Sequence, residues 1–578
     1  MNKKVVIVGG VAGGASTAAR LRRLDENIEI VMLEKGEHIS FANCGLPYHI
    51  GGVIKNREDL LVQTPEAMKN RFKIDVRIKN EVIDIDRKNK KITVMDLNND
   101  EKYEESYDIL VLSPGAEPTK PPVKGINGER VFTLRNIPDT DRINKFIANK
   151  KPRRAVVIGA GYIGIEMAEN LTHRGINVSV VEMENQILTS LDKEMLAQAH
   201  NHLRMKGVNL FLGSRVEAID DVAGKKVVEL SNCDNISADF IVLAAGVTPN
   251  TKLAEDAGLE IGKLGGIKVD EYLKTSDVSI FALGDAIEVK NPILEKETYI
   301  PLAGPANKQG RIVANNIAGR NEKFNGSQGT AIAKVFELTV GSTGLNEKQL
   351  QDYGIDYEKS YTISKNHAGY YPGAIPMTIK LLFSKDDGKL YGAQAVGYKD
   401  VDKRLDVLAT AIRFEKKVHD LKDIDLAYAP PFGSAKDPVN MAGFISENIL
   451  TDTMDTICCD ELDEKENIQL IDVREPEELR ELGTIKNAIH IPLNSLRDNL
   501  DELDKNKETV VFCAIGLRGY LGYRILKQHG FDNLLNLSGG YKMYLEYQKD
   551  KYEVVDEDAT KARAKMETIE TPEEAHRL

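Results

Sequence analysis

Two segments of the chain join an apolar strand to a glycine-rich turn and a helical pattern. The first covers residues 5–24, with four glycines between positions 9 and 14, and the second covers residues 155–175. An apolar strand that ends in an acid completes each segment, at Glu34 and at Glu182. A carboxylate about 20 residues beyond the glycines can reach a ribose hydroxyl. The pattern therefore predicts two dinucleotide-binding lobes.

The rest of the chain divides into further pattern blocks. Strand-to-glycine segments at 109–115 and 240–246 each close one lobe, and a buried strand at 278–286 carries Gly284 and Asp285. Residues from about 326 to 450 alternate short strands with helices and have no glycine fingerprint, which indicates an α+β module. A new α/β pattern begins at Ile468, and the tail from about Asp550 is charged and poor in apolar residues.

Composition excludes several classes of protein. A chain of 578 residues is too long for one hydrophobic core. The net charge of −12 argues against a nucleic-acid binder, so an anionic ligand needs a local basic pocket. No window approaches the ~18 apolar residues of a membrane span. Five cysteines, an odd number without framework spacing, indicate a reducing cytoplasm and reactive or core thiols.

The sequence around Cys44 is the first candidate for chemistry. Cys44 follows directly after the second strand of the first lobe, within Ser40-Phe41-Ala42-Asn43-Cys44-Gly45-Leu46-Pro47-Tyr48. No second cysteine lies two or five residues away, which excludes the usual dithiol arrangement of glutathione-type reductases. Function concentrates in loops that follow nucleotide-binding strands, so a reactive thiol is favoured over a small core residue.

These segments together resemble the two-dinucleotide flavoprotein reductases. The first lobe, with Gly284 and Asp285, resembles their FAD domain, although Val11 replaces the middle glycine of its turn. The second resembles their NAD(P)H domain, in which Glu182 would bond the adenine ribose. Because residues 183–185 contain no arginine for a 2′-phosphate, NADH is favoured over NADPH.

The motif at Cys44 resembles that of the CoA-disulfide reductases and of the NADH oxidases and peroxidases of the same superfamily. The resemblance implies that Cys44 lies against the flavin and cycles between a thiolate and a mixed disulfide, persulfide or sulfenate. We expect electropositive surroundings to lower the pKa of its thiol. No histidine lies between Met1 and Glu37, which disfavours peroxide chemistry and leaves oxygen reduction open.

CoA-type enzymes carry two tyrosines that reach the cysteine of the partner subunit, and the matching residues here are Tyr370 and Tyr428. The resemblance therefore implies a homodimer. It also assigns CoA binding to a group of basic and polar residues: Arg20, Arg23, Ser40, Asn43 and Arg71.

Three segments near the C-terminus, at 471–478, 488–493 and 513–519, together resemble a single rhodanese domain over about 90 residues. Cys513 follows a strand and precedes a helix, so successive N–H groups and Arg518 would favour an anionic sulfur. Ala514 and Thr484 occupy places often taken by arginine and histidine, which puts thiosulfate in doubt as the donor. The remaining cysteines are interpreted as structural: Cys233, Cys458 and Cys459.

The predicted fold is therefore α/β, with two Rossmann-like domains for FAD and NAD, an α+β dimerisation domain and a C-terminal α/β rhodanese domain. The expected bounds are 1–118 with 271–325 for the FAD domain and 119–270 for the NAD domain. Those of the dimerisation domain are 326–450, those of the rhodanese domain 451–549, and those of the charged tail 550–578. The resemblance assigns dinucleotide binding to Gly9, Val11, Ala12, Gly14, Glu34, Lys35, Asn43, Val82, Ser113, Gly115, Gly159, Gly161, Tyr162, Ile163, Gly164, Glu182, Gly246, Gly284, Asp285 and Ala303.

The functional hypothesis is an NADH-dependent flavoprotein that reduces CoA disulfide, CoA persulfide or polysulfide, with no metal. Two alternatives stay open. One is an NADH oxidase that uses a Cys44 sulfenate, and the other is a sulfur-carrier protein without redox activity.

Overall fold

The computed structural model describes residues 3–553. The chain forms two compact units: the first contains residues up to 183 together with 213–329, and the second contains 184–212 together with residues from 330 onward. Among the described residues, no helix is both long enough and apolar enough to cross a membrane. Of the predicted tail, residues 550–553 finish a helix and its last turn, and residues 554–578 lie outside the described part.

Two parallel sheets carry the lobes of the first unit. The first sheet has the strand order Ile280–Ala282, Ile109–Leu112, Lys4–Val8, Glu29–Glu34, Asp75–Ile78. The second has, within this unit, the order Asn177–Val181, Arg154–Ile158, Phe240–Leu243, Val131–Thr133. The central strands are fully apolar because both faces of a parallel sheet are covered, and Val5, Val6 and Ile7 are completely buried. The two predicted strand–turn–helix segments are confirmed.

Short helices and antiparallel ribbons surround these sheets. The α-helices of the first unit are Gly13–Leu24, Leu46–Ile50, Pro65–Phe72, Ile137–Lys150, Tyr162–His173, Lys252–Asp256 and Ala303–Ile317. The antiparallel strands are Asn80–Asp86, Lys91–Asp96, Glu101–Ser106, Ala116–Pro118, Val216–Val222, Lys225–Leu230, Asn235–Ala238, Val247–Pro249, Val289–Asn291 and Lys296–Thr298. Helix Gly13–Leu24 packs against helix Ala303–Ile317, which holds the first glycine turn in place.

The second unit contains the predicted α+β module. Its antiparallel sheet has the order Ala331–Val335, Leu338–Gly344, Leu390–Gly397, Pro376–Phe383, Glu358–Lys365. The helices of this module are Glu347–Asp352, Val401–Arg413, Val418–Asp423 and Pro438–Leu450. The alternation of strands and helices expected from the sequence is confirmed.

The second unit ends in a separate five-stranded parallel sheet, which confirms the C-terminal α/β pattern. Its order is Thr456–Ile457, Leu534–Leu537, Thr509–Phe512, Gln469–Asp472, Ile489–His490. Its α-helices are Cys459–Leu462, Pro476–Leu482, Leu517–Gln528 and Gly540–Lys551.

One segment groups differently from the expected bounds. Residues 184–212, which carry helix Lys193–Met205, fall in the second unit although the sequence places them inside the second lobe. The reason is a set of buried polar contacts. His200 Nδ1 lies 2.8 Å from a carboxylate oxygen of Asp550, and Lys380 donates to Asp192 at 2.7 Å.

Candidate active site

Gly9 and Gly14 of the first turn leave no room for a Cβ atom. Gly9 has φ +98°, and a Cβ at this position would lie 2.1 Å from the carbonyl oxygen of Ser113. A Cβ on Gly14 would lie 1.9 Å from the Gly9 carbonyl oxygen. Val11, which replaces a glycine, precedes Ala12 at φ 46°, and the helix begins only at Gly13. The backbone N–H groups at this helix end are suited to a pyrophosphate.

The second turn repeats this construction. A Cβ on Gly159 would meet the Ala244 carbonyl oxygen at 2.3 Å, and one on Gly164 would meet the Gly159 oxygen at 2.0 Å. The helix begins at Tyr162, directly after Gly161, so no strained residue intervenes. Ile163 is exposed on its first turn, and Gly246, at φ +94°, ends the neighbouring strand segment.

The acids of the two lobes are held at their turns by backbone donors. Glu34 accepts hydrogen bonds from Gly10 at 2.9 Å and from Gly36 at 2.7 Å. Glu182 accepts one from Ala160 at 2.7 Å. Each carboxylate is thus fixed at the edge where a ribose would lie.

A cavity of about 470 Å³ opens beside the first turn. Its lining includes these sequence-predicted residues: Gly9, Val11, Ala12, Glu34, Lys35, Asn43, Val82, Ser113, Gly115, Gly284 and Asp285. Gly14 and Ala303 are not part of the lining. Helix Ala303–Ile317 contributes Ala306 to the lining instead of Ala303. The glycine turn, the Glu34 carboxylate and the volume of the cavity fit an FAD molecule, which would be held by these groups.

Asp285 and Arg135 face each other in this cavity. Burial raises the pKa of Asp285, and the Arg135 guanidinium partly offsets that rise. Arg135 also donates to the Ala116 carbonyl at 2.5 Å, and the Asn43 side-chain oxygen accepts from Arg135 at 3.1 Å when its amide is oriented to satisfy both neighbours. The motif at Cys44 is therefore tied directly to the cavity wall through Asn43.

Cys44 lies at the start of a short helical segment. Residues Asn43–Gly45 form a 3₁₀ turn that runs into helix Leu46–Ile50, and the residue is exposed. Partial desolvation raises the pKa of its thiol, and the carboxylates of Glu166 and Asp285 raise it further. The prediction of electropositive surroundings is therefore wrong for the protein's own groups, because the charges nearest Cys44 are acidic.

Four arginines form a cationic patch on the first unit. Desolvation lowers the pKa of Arg20, and the charges of Arg311, Arg320 and Arg23 lower it further, so these guanidinium groups lie close enough to repel one another. Such a concentration of cations is suited to phosphate groups. Arg71 is exposed on helix Pro65–Phe72 and is not among the charges that act most strongly on Arg20. The sequence prediction missed Arg311 and Arg320.

Ser40 lies apart from this patch, close to the first turn. Its φ is 45°, and its N–H donates to the Gly10 carbonyl at 2.9 Å. It therefore anchors the loop that leads to Cys44.

The two predicted tyrosines of the second unit meet each other. Tyr370 and Tyr428 share a hydrogen bond of 2.8 Å between their hydroxyl oxygens. Their exposed fractions are 75% and 48%, and the exposed ring of Phe432 belongs to the same loop as Tyr428. Ala368 donates to the Gly433 carbonyl at 2.9 Å, which links the two loops.

The cysteine of the C-terminal module lies in a backbone cradle. Cys513 is buried, and the Gly516 N–H donates to its sulfur at 3.2 Å, at the start of helix Leu517–Gln528. Arg518 does not point freely at this sulfur, because Glu478 holds its guanidinium through two bonds of 2.6 and 2.7 Å. The sequence prediction missed Glu478, which lies on another helix.

The other cysteines lie where the sequence prediction put them. Cys458 and Cys459 are buried, and Cys233 is exposed in a turn. All five are free thiols.

Three family models match the chain. The pyridine nucleotide-disulphide oxidoreductase model matches residues 3–310, and the dimerisation domain of the same group matches residues 330–438. The rhodanese-like domain matches residues 458–547.

Two solved structures are similar over nearly the whole chain. Reduced CoADR-RHD from Bacillus anthracis is 50% identical, with 95% of this chain and 99% of that chain covered and a TM-score of 0.92. A NAD-dependent persulfide reductase from A. fulgidus is 40% identical, with 94% and 100% covered and a TM-score of 0.89.

Two curated relatives match about three quarters of the chain. Coenzyme A disulfide reductase of Staphylococcus haemolyticus is 36% identical over 448 residues, which are 77% of this chain and all of the relative. An NADH oxidase of Methanocaldococcus jannaschii is 36% identical over 442 residues, which are 76% of this chain and 97% of the relative.

Proposed function

Because the chain belongs to the pyridine nucleotide-disulphide oxidoreductase family, we propose that it uses NADH and FAD to reduce CoA disulfide or CoA persulfide at Cys44. The observation that carries this proposal is the place of Cys44 relative to the cavity. Its neighbour Asn43 lines the cavity, and the carboxylate of Asp285, another lining residue, acts on its thiol. We infer that the thiol, one residue from this wall, is within reach of the redox ring of a bound dinucleotide.

FAD, when bound, supplies the transfer of an electron pair from NADH to sulfur. The protein's own residues bind and orient. Glu34 and the turn at Gly9 hold one dinucleotide, and Glu182 with the turn at Gly159 holds the other. Cys44 attacks the disulfide of the substrate, which releases one thiol and leaves a mixed disulfide on Cys44.

The arginine patch supports a CoA substrate. CoA carries a 3′-phosphate and a pyrophosphate, and Arg20, Arg23, Arg311 and Arg320 together offer the cations that these groups require. Ser40 and Asn43 are assigned to the sulfur end, because they flank the loop of Cys44. We assign Arg71 no role in the phosphate patch.

The tyrosine pair supports a homodimer with shared active sites. Phenols that are exposed in a single chain are suited to a cysteine supplied by a second chain. In the proposed dimer, Tyr370 and Tyr428 of one subunit hydrogen-bond the CoA thiolate released at Cys44 of the other. Their mutual hydrogen bond orients both hydroxyl groups.

The C-terminal cysteine is assigned to sulfane sulfur. The Gly516 N–H, at the start of a helix, donates to the Cys513 sulfur and would stabilise it as an anion. Because Glu478 neutralises Arg518 and Ala514 adds no cation, the cradle is suited to a monoanionic persulfide more than to dianionic thiosulfate. We propose that Cys513 accepts sulfane sulfur and passes it to CoA, which carries it to Cys44.

The proposed function is tested by NADH consumption with CoA disulfide, CoA persulfide, polysulfide and oxygen as the only oxidant in turn. We expect the highest kcat/KM with a CoA disulfide or persulfide under argon. Faster turnover with oxygen than with any sulfur substrate would establish the NADH oxidase instead. Purified protein without flavin absorbance, or flavin that NADH does not bleach, would favour the sulfur carrier.

A further inference from the structure

A tyrosine and a glutamate lie beside Cys44 and have no part in the chemistry described above. Cys44 and Tyr48 are four residues apart on one short helical segment, a spacing that places two side chains on the same face. The Tyr48 hydroxyl donates to a carboxylate oxygen of Glu166 at 3.1 Å. Glu166 belongs to helix Tyr162–His173, which packs on helix Leu46–Ile50.

The residues that act on this carboxylate carry no positive charge. The residues that act on Glu166 are Tyr48 and Glu169, and no ion pair joins it to a cation within residues 3–553. Cys44 in turn feels the negative charges of Glu166 and Asp285. Burial raises the pKa of Glu166 to about 7, the charge of Glu169 adds to the rise, and the Tyr48 hydrogen bond opposes it.

We propose that Glu166 takes up a proton when Cys44 becomes a thiolate and gives that proton up when Cys44 is oxidised again. Two negative charges close together in a desolvated site are unfavourable, so ionisation of one group favours protonation of the other. Tyr48 holds the carboxyl group of Glu166 in place through its hydrogen bond. The inference rests on the proposed role of Cys44 as the nucleophile.

The proton balance of the cycle follows. Two electrons from NADH break the S–S bond between Cys44 and CoA and leave two thiolates. One proton, equivalent to that of the NADH hydride, goes to the CoA thiolate, and one from solvent binds Glu166. The Cys44 thiolate then attacks the next disulfide, and the Glu166 proton goes to the second CoA thiolate. The sum is NADH, one proton and one disulfide converted to NAD⁺ and two thiols.

The test measures the ionisation of Cys44 directly. Full-length, FAD-bound protein is reduced, freed of excess reductant and alkylated with iodoacetamide between pH 5 and 10, and the label on the Cys44 peptide is counted by mass spectrometry. In the parent we expect a profile with two ionisations, because Glu166 and Cys44 titrate together. In Glu166→Gln we expect one ionisation at lower pH and roughly tenfold faster alkylation at pH 8, since loss of the neighbouring charge lowers the pKa of the thiol by about one unit.

Two comparisons keep the test specific. Tyr48→Phe retains the carboxylate but removes its hydrogen bond, so we expect the lower ionisation to move to higher pH. Cys233, exposed and remote in sequence, serves as an internal control whose profile must be the same in all variants. Flavin absorbance confirms that each variant is folded.

An unchanged Cys44 profile in Glu166→Gln would overturn the inference. The proposed function fails separately: if complete alkylation of Cys44 leaves CoA-disulfide reduction intact, Cys44 is not the nucleophile. If alkylation abolishes turnover and the Glu166→Gln profile overlays that of the parent, only the role of Glu166 is refuted.

Discussion

Tyr370 and Tyr428, 58 positions apart in the chain, are joined by a 2.8 Å hydrogen bond between their hydroxyl oxygens on an exposed surface. We expect Tyr428→Phe to lower kcat for CoA disulfide roughly ten- to hundredfold, because a hydrogen bond to the charged CoA thiolate is worth about 1.5–3 kcal/mol. Reduction of FAD by NADH should be unchanged. Tyr371→Phe is the control, because that ring packs on His367 and its hydroxyl is not part of the pair.

Forced heterodimers test whether the site is shared between subunits. A Cys44→Ser subunit paired with a Tyr428→Phe subunit has one intact site if the cysteine and tyrosine come from different chains. We expect about half of the parent activity per dimer. If the heterodimers are no more active than the Cys44→Ser and Tyr428→Phe homodimers, each site lies within one chain.

Cofactor preference follows from the acid of the second lobe. Glu182, fixed by the Ala160 N–H at 2.7 Å, would repel a 2′-phosphate. We expect the parent to prefer NADH, and Glu182→Ser to narrow the ratio of kcat/KM values for NADH and NADPH by about tenfold. Glu217→Ser, a surface acid paired with Arg215, should leave the ratio unchanged. A parent enzyme that prefers NADPH would refute this role of Glu182.

Cys513→Ser separates the two cysteines. Reduction of CoA disulfide should survive, because it needs Cys44 and the tyrosine pair. Reduction of polysulfide should fall, because that sulfur must first load Cys513. Equal loss with both substrates would indicate a folding defect, and no loss with either would leave Cys513 without a role. Cys233→Ser is the matched control.

The charge around Cys513 should decide which sulfur donor it accepts, and this leads to a gain-of-function prediction. Ala514→Arg adds a cation beside Cys513 that Glu478 does not already neutralise. We expect thiosulfate sulfurtransferase activity to rise about tenfold or more over the parent, since an anionic donor would gain a charged hydrogen bond. Ala514→Gln, similar in reach and uncharged, should not show this rise. Equal activity in both variants would refute the charge argument.

Much of this architecture could be predicted because its signals are local. Each glycine turn, its strand and its acid lie within about 30 residues, the span of one βαβ unit. The residues that the sequence prediction did not include come from segments far away in the chain. Arg311 and Arg320 join Arg20 only through the packing of two helices, and the acids that act on Cys44 come from two other regions of the chain. A single sequence carries no signal for such contacts.

The contacts that join residues 184–212 to the rest of the second unit also connect distant segments of the chain, and they lead to a stability prediction. The Lys380 ammonium is fully buried among Asp192, Glu194 and Glu347, all of which it contacts. We expect Lys380→Met to lower the free energy of unfolding by about 3–5 kcal/mol at pH 7, because buried carboxylates lose their cation. Lys385→Met removes an exposed pair with Glu358 and should cost about 1 kcal/mol at most.

The pH dependence of this cluster has a definite sign. Burial raises the pKa of Glu347, but the charges of Lys380 and Lys359 outweigh burial and hold this pKa at about 2, below its value in an unfolded chain. The stabilisation by Glu347 is therefore present above pH ~4.3 and is lost as pH falls toward about 2. In Lys380→Met the carboxylates protonate more readily, so the deficit against the parent should shrink on acidification. A deficit that grows below pH 5 would contradict this account.

The central claim is that Cys44 is the sulfur nucleophile of an NADH-driven reductase. The most direct measurement is CoA-disulfide turnover by Cys44→Ser, made alongside flavin content and the rate at which NADH reduces the flavin. The account predicts no measurable turnover with flavin content and flavin reduction close to those of the parent, because the dinucleotide turns do not involve this side chain. Near-normal turnover in Cys44→Ser would contradict it.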